Sequence, residues 1–165
     1  MGHEQVGASD AFKIEKNPSM PGTMNVLIEV LRDGKVISRR EKHNLVVNLG
    51  KADMAKRLVV TPTKLYQYMR LGHNGAVASS AQSTITTIVT GSNKTCNTAA
   101  MSGSRTAKFV RTWITTDFSA TGIREAGLFS QLTNALGTML ARVTFTAVNK
   151  SSSDSLKITW TVKVN

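Results

Sequence analysis

Hydrophobic and polar residues alternate along several stretches of the chain, most regularly near the C-terminus. In LKITWTVKV, the apolar residues Leu156, Ile158, Trp160, Val162 and Val164 take every second position. A period of two places such residues on one face of a β-strand. The segment NKSSSD just before it is typical of a turn. The pattern therefore predicts a C-terminal strand with one buried and one solvated face.

Further segments carry the same strand pattern. NVLIEVLRDGKVISRR holds two alternating runs on either side of Asp33-Gly34, a pair typical of a β-hairpin turn because both turn positions need a positive φ. RTAKFVRTWITT, GIREAGLF and GTMLARVTFTAV are predicted strands, as are residues 45–47 and KLYQYMRLG. In GTMLARVTFTAV the period puts four apolar residues on one face: Met139, Ala141, Val143 and Phe145.

One segment has helical spacing instead. In KADMAKRLV, the residues Ala52, Ala55 and Leu58 recur at the interval of a helix face. Asn48 precedes them and is a candidate N-cap, and Pro62 follows the end of the segment. We predict one short helix here.

Two segments lack a clear period. Residues 1–24 are predicted to form an extended N-terminal arm, with simple disorder as the alternative. Residues 76–104 are rich in Ser, Thr and Ala, and we predict an exposed excursion that contacts neighbouring molecules, with a mobile loop as the alternative. Part of it, STITTIVT, is a candidate edge strand. Residues 25–165 then form a single mainly β domain, a β-sandwich or barrel-like antiparallel domain with one short helix.

The charge of the chain is strongly positive. The formal net charge is +11 over 165 residues, and no acidic residue lies between Asp53 and Asp117, where basic residues recur. Clustered bases bind phosphate groups, but these are spaced singly and lack interleaved aromatic residues for stacking bases. We therefore expect a positive face that docks on an acidic protein surface. A nucleic-acid-binding module is the less favoured alternative.

The sequence offers little for catalysis or metal binding. Cys96 is the only cysteine, which excludes a disulfide within the chain and a multi-cysteine metal site. His3, His43 and His73 are scattered, and we interpret His73 as a turn residue. We expect no enzyme activity, no metal and no cofactor. The N-terminus lacks a secretion signal and no apolar run approaches a membrane span, so we expect a soluble protein made in the cytoplasm, without a membrane partner.

Glu125 in GIREAGLF is the residue whose setting most resembles a catalytic carboxylate. Such a carboxylate needs a second acid, a histidine or a metal, and the sequence places none of these nearby. We interpret Glu125 as structural, paired across strands at a sheet surface with Arg111 or Arg142. The strand period gives the segment two faces: Ile123, Glu125 and Gly127 on one, and Arg124, Ala126 and Leu128 on the other.

Gly127 has a predicted structural role of its own, because a residue without a side chain lets another part of the backbone approach closely. The residues to which we assign structural roles are Arg124, Glu125, Gly127 and Trp160.

Several short motifs occur in a fixed order: NLVVNLGKADMAKRL, YMRLGHNGAVA, GIREAGLF, GTMLARVTF and LKITWTVKV. Their order and spacing, from about Val26 onward, resemble those of small structural proteins of tailed bacteriophages. Each motif is short, so the order carries the resemblance. The middle turn departs from the usual Gly-Thr-Gly of such proteins, because this chain has Gly72-His73-Asn74-Gly75.

The resemblance implies a non-enzymatic virion protein with a β-rich core, made in the host cytoplasm. We expect a capsid decoration or cement protein, with a neck, collar, tail or tail-fibre attachment component as the alternative. The expected partners are further copies of the chain, most naturally in a trimer, and other virion proteins such as the major capsid protein. The residues expected to make these contacts are Phe12, Ile14 and Lys16 in the arm, together with Lys94, Arg105, Lys108 and Arg111.

Overall fold

The structure is a computed structural model that describes residues 23–62, 64–133 and 137–163. Strands and one helix follow one another along these residues: β1 (Thr23–Arg32), β2 (Lys35–His43), β3 (Leu45–Val46), α1 (Asn48–Lys56), β4 (Tyr68–Gly72), β5 (Lys94–Thr95), β6 (Thr98–Met101), β7 (Thr106–Trp113), β8 (Ala120–Phe129), β9 (Met139–Lys150) and β10 (Asp154–Lys163). The arm residues Phe12, Ile14 and Lys16 and the strand residue Val164 lie outside the described part of the chain.

The strands form two five-stranded antiparallel sheets. Sheet A has the order β2-β1-β10-β7-β6, and sheet B has the order β3-β9-β8-β4-β5. The inner faces of the two sheets share one apolar core. On β10 the predicted alternation is confirmed, because Leu156, Ile158 and Trp160 are buried there while Val162 packs at the margin of the core. The predicted mainly β, sandwich-like domain with one short helix is confirmed.

The hairpin between β1 and β2 forms at the predicted turn. Asp33 and Gly34 have φ values of 50° and 75°, the positive values that this turn requires at both positions. The register shifts by a bulge between Val30 and Leu31, just before the turn. Local sequence therefore accounts for this end of sheet A.

Helix α1 differs from its prediction. Val47, with an extended backbone, is the N-cap, while Asn48 is the first helical residue and no side chain caps the helix. The helix contacts β9 through Gly50, where an added Cβ would collide with the carbonyl oxygen of Leu140. Because the contact is made by this first turn, the residues that carry the predicted helical spacing are exposed: Ala52, Ala55 and Leu58.

The pairing of β8 with β9 is irregular, which changes the predicted faces. The register shifts between Ile123 and Glu125, so Ile123 packs in the central core and does not share the face of Glu125. A second shift, between Leu128 and Phe129, places Met139 beside Phe129 in a separate apolar cluster. A strict alternation of inward and outward side chains was therefore wrong at both ends of the β8–β9 pair, because bulges shift the pattern.

The predicted excursion at residues 76–104 is only partly exposed. Ile85 and Ser92 are buried, and Ile85 packs in a small apolar cluster, called the outer cluster below, on the outer face of sheet B: Val47, Ile85, Phe129 and Met139, with Tyr68 and Ile88 at its margin. The candidate edge strand STITTIVT contributes one isolated bridge, between Gly72 and Ile88. The first half of the segment covers sheet B, whereas β6 is exposed at the edge of sheet A.

Candidate functional site

β8 and β9 place Glu125 and Arg142 on the outer face of sheet B. Gly127 lies directly opposite Arg142 in the register, so Glu125 reaches Arg142 diagonally. Arg142 Nε donates a hydrogen bond to Glu125 Oε2 over 2.6 Å, and both side chains are 1% exposed. Of the two arginine partners predicted for Glu125, the structure shows Arg142. The predicted surface position was wrong, because the segment after β4 covers the pair.

The ion pair holds the segment that covers it. Arg142 Nη1 donates hydrogen bonds to the carbonyl oxygen of Ala76 over 3.1 Å and to Gln82 Oε1 over 2.9 Å, and Nη2 donates to the carbonyl oxygen of Asn74 over 3.1 Å. The backbone N–H of Asn74 donates to Glu125 Oε1 over 3.1 Å. Both ions are thus satisfied by protein groups, as a buried pair requires. Glu125 therefore has a structural role, because it binds both Arg142 and the covering segment.

Two glycines make room for this arrangement. A Cβ at Gly72 would collide with Glu125 Oε1 and with the side chain of Ile85. A Cβ at Gly127 would lie 2.6 Å from the ring of Phe129 and 3.3 Å from Ile85 Cδ1. The glycine at position 127 therefore admits the ring of Phe129 and the side chain of Ile85, whereas the predicted approach was by another part of the backbone.

Arg70 lies on the other side of Gly127, directly opposite it on β4. The side chain is 0% exposed, and its guanidinium lies 4.0 Å from the centre of the Phe129 ring. Nη2 donates to the carbonyl oxygens of Gln131 and Leu132, each over 3.1 Å. No acidic residue of the described chain forms an ion pair with Arg70, and burial lowers the pKa of its guanidinium. Arg70 is one of the basic residues between Asp53 and Asp117, and nothing in the local sequence predicts its burial.

Two of the predicted contact residues, Lys94 and Arg111, share one carboxylate. Asp117 lies 3.4 Å from Lys94 Nζ and 3.0 Å from Arg111 Nη2, and it accepts a hydrogen bond from the backbone N–H of Ile114 over 2.9 Å. Burial alone would raise the pKa of Asp117, but the Ile114 amide and the two cations outweigh it and hold the pKa below its usual range. Much of the charge of Lys94 and Arg111 is therefore used within the fold.

The other predicted residues are not brought to this cluster. Arg105 is exposed in the turn before β7, and Lys108 lies opposite Thr161 on the outer face of sheet A. Neither forms an ion pair with an acidic residue of the described chain. Arg124 is exposed and its side chain lies over Gly75. Trp160 is fully buried in the core.

The remaining candidate chemical groups are held in local contacts. Burial raises the pKa of the Cys96 thiol to about 12, which keeps it protonated near neutral pH and unsuited to nucleophilic attack. His73 Nδ1 lies 3.2 Å from the carbonyl oxygen of Gly122. Among the described residues, no three His, Cys, Asp or Glu side chains are grouped as metal ligands. None of the described helices has the length and apolarity needed to cross a membrane.

The structure reveals exposed apolar residues that the sequence reasoning missed. Leu58 and Val59, just after α1, are 86% and 84% exposed, and Leu65 is 62% exposed. Leu58 fits the predicted helical spacing, but the helix ends before it, at Lys56. The signal was present in Val59-Val60 followed by Thr61-Pro62, since apolar residues beyond the last helical turn cannot belong to the face of that helix.

In sequence, these residues are next to Val60 and Lys64, which line a groove of about 260 Å³ between the end of α1 and the β8–β9 hairpin. Its lining includes Lys56, Arg57, Val60, Thr61, Lys64 and Ser130.

No protein-family model, curated protein or solved structure matches the chain.

Proposed function

We propose that the protein is a non-enzymatic structural component of a tailed-bacteriophage particle, which attaches to the capsid surface as a decoration protein. The observation that carries the proposal is the exposure of Leu58, Val59 and Leu65 beside the lysine-lined groove. Large apolar side chains exposed close together in sequence favour protein–protein contact. The surrounding positive charge favours a partner with an acidic surface.

The positions of the motifs support the same proposal. GIREAGLF supplies Glu125 and Gly127 on β8, and GTMLARVTF supplies Arg142 on β9. These residues hold the cover of sheet B, and LKITWTVKV fills the core. The features that carry the resemblance to phage structural proteins thus build a scaffold, while the apolar surface after α1 is left for contact with a partner.

The setting of the acidic side chains supports a role without catalysis. Glu125 is enclosed by Arg142 and a backbone amide. Asp117 is shared by two cations and the backbone amide of Ile114, and Asp154 is bound by Arg32 and Ser151. A general acid or base must reach its substrate, whereas these carboxylates are occupied by protein groups.

The pattern of charge on sheet A favours a protein partner over nucleic acid. On its outer face, Glu29 lies opposite both Arg39 and Lys157 in the register, and its carboxylate is 3.9 Å from Lys157 Nζ. An acidic side chain between two bases interrupts the track that a phosphate backbone would follow. Duplex DNA of random sequence should therefore bind weakly, and tight binding that falls steeply with salt would favour the nucleic-acid alternative.

The test is to determine the protein composition of purified bacteriophage particles whose genome encodes this chain. Mass spectrometry and cryo-electron microscopy should find the protein on the head in a copy number comparable with that of the shell protein. A few copies at the neck or tail would favour the alternative attachment role. Absence from all particles would overturn the proposal.

The oligomeric state gives a second measurement. Size-exclusion chromatography with light scattering should give a trimer, the state expected of a decoration protein at a local threefold axis. A larger ring would favour the neck or tail.

A further inference from the structure

We propose that the groove after α1 binds a carboxylate side chain of the partner, while Leu58 and Val59 receive an apolar residue next to that carboxylate. The inference rests on the proposed function for the identity of the partner, an acidic segment of a shell protein. The groove itself, which we call the lysine groove, is defined by Lys56, Arg57, Val60, Thr61 and Lys64.

At the floor of the lysine groove, the negative charge of Asp53 is balanced by the positive charge of Arg57. Asp53 Oδ2 lies 2.7 Å from Arg57 Nε and accepts a hydrogen bond from the hydroxyl of Tyr66 over 2.5 Å. Burial alone would raise the pKa of Asp53, but these two hydrogen bonds outweigh it and hold the pKa below its usual range. Asp53 stays ionised, and its charge cancels that of Arg57, whose guanidinium is also fixed 4.6 Å from the Tyr66 ring centre.

The rim of the groove carries two lysines, and the charge of one of them, Lys56, helps to lower the pKa of Asp53 without a direct contact. Lys56 and Lys64 line the groove, both are exposed, and neither forms an ion pair with an acidic residue among residues 23–62, 64–133 and 137–163. Thr61 lies in the same lining. Two lysines and a threonine around a balanced floor form a site suited to one carboxylate.

The apolar residues select the kind of molecule that carries the carboxylate. Val60 lines the groove, Leu58 and Val59 precede it directly, and Leu65 follows Lys64. A phosphate backbone or a free anion would leave these side chains in water. A peptide segment with an acidic residue beside an apolar one satisfies both features, since apolar burial adds to the ion pair.

The test uses a fluorescein-labelled peptide of alternating Glu and Leu residues, with binding followed by fluorescence anisotropy. We expect Lys56→Glu/Lys64→Glu to weaken binding by about tenfold or more, because two charge-assisted contacts are replaced by repulsion. Leu58→Ser/Val59→Ser should weaken it as well, without unfolding the protein, because both side chains are exposed. A peptide with Gln in place of Glu should bind poorly.

The matched control is Lys35→Glu/Lys163→Glu. It gives the same net charge, but its two lysines lie at the β1–β2 turn and at the end of β10. This control should keep wild-type affinity to within about twofold, since exposed charges far from a site are screened by salt. Equal losses in the groove variant and the control, or equal affinity for duplex DNA and the peptide, would overturn the inference.

Loading of the same variants onto particles separates this inference from the proposed function. If the wild-type chain is on the capsid and Lys56→Glu/Lys64→Glu loads normally, the lysine groove is not the docking site and the decoration role stands. If the chain is absent from particles but binds the peptide through Lys56 and Lys64, the decoration role fails and the carboxylate site stands.

Discussion

The outer faces of the two sheets are built from the same alternating strands, yet they have different surroundings. On sheet B, Glu125 and Arg142 point outward and are almost fully buried beneath the segment that follows β4. On sheet A, Glu29 and Lys157 also point outward; the glutamate side chain is 12% exposed, but the lysine side chain remains 40% exposed. An outward polar residue on a strand is therefore not by itself a surface residue, because a covering segment can bury it.

The two ion pairs also differ in their length and in the hydrogen bonds around them. The buried pair is 2.6 Å apart and has four further hydrogen bonds to the covering segment. The pair on sheet A is 3.9 Å apart. A buried ion must be fully paired because water cannot replace a lost partner, whereas a lost partner at a surface is replaced by solvent. The four predictions below test this contrast.

The largest effect is expected for Glu125→Gln, which leaves the charge of Arg142 buried without a counter-ion. The free energy of unfolding should fall by about 3–5 kcal/mol, the usual cost of breaking a buried pair. Lys157→Gln on sheet A is the control, with an expected loss of about 1 kcal/mol or less. Urea unfolding followed by circular dichroism measures both. Similar losses in the two variants would show that the cover of sheet B does not isolate its ion pair from water.

Ile85→Ala removes the apolar side chain that packs on the outer cluster. Ile85 is 2% exposed and belongs to the covering segment, so the variant should lose about 2–5 kcal/mol of stability. Val77→Ala, in the same segment but 88% exposed, should change stability by about 0.5 kcal/mol or less. Thermal and urea unfolding would compare them. A stable Ile85→Ala protein would mean that the segment is not anchored there.

Gly127→Ala tests the space beneath the cover. The added methyl group would lie 2.6 Å from the Phe129 ring, and such overpacking costs about 1–3 kcal/mol. Gly75→Ala is the matched control, since its Cβ would meet only the flexible side chain of Arg124 at 3.1 Å. We expect a loss below about 1 kcal/mol in the control. An equal effect at both positions in urea unfolding would contradict the close approach inferred at Gly127.

The smallest effect is expected for changes at Asp154, at the end of sheet A, and it concerns the dependence of stability on acid pH. Hydrogen bonds from Arg32 and Ser151 hold the pKa of Asp154 well below its usual range. Because the folded-state pKa is depressed, this carboxylate stabilises the fold above the unfolded-state pKa of about 4, and the contribution is lost as the pH falls towards the folded-state pKa.

Asp154→Asn should therefore reduce the pH dependence of the urea midpoint below about pH 4. Arg32→Gln should reduce it in part, because the largest cause of the shift is removed while Ser151 remains. An unchanged acid dependence in Asp154→Asn would assign the acid sensitivity to other carboxyl groups.

Part of the candidate site was predictable and part was not. The sequence narrowed the partner of Glu125 to Arg111 or Arg142, since cross-strand pairing requires a base at a strand position. It did not predict that Arg111 binds Asp117 instead. Nor did it predict the lysine groove, because helical spacing suggested a buried position for Leu58 while the helix ends at Lys56.

Features that depend on neighbouring residues follow from the sequence alone. The alternation in β10 specifies one buried face, and Asp33-Gly34 specifies the first hairpin, because period and backbone preference act over a few residues. Which outward faces are buried depends on the tertiary structure. Gln82 and Arg142 are 60 residues apart in sequence, and the cover of sheet B exists because folding brings such distant groups together. The register shift at Ile123 likewise arises from pairing with β9, which no local pattern contains.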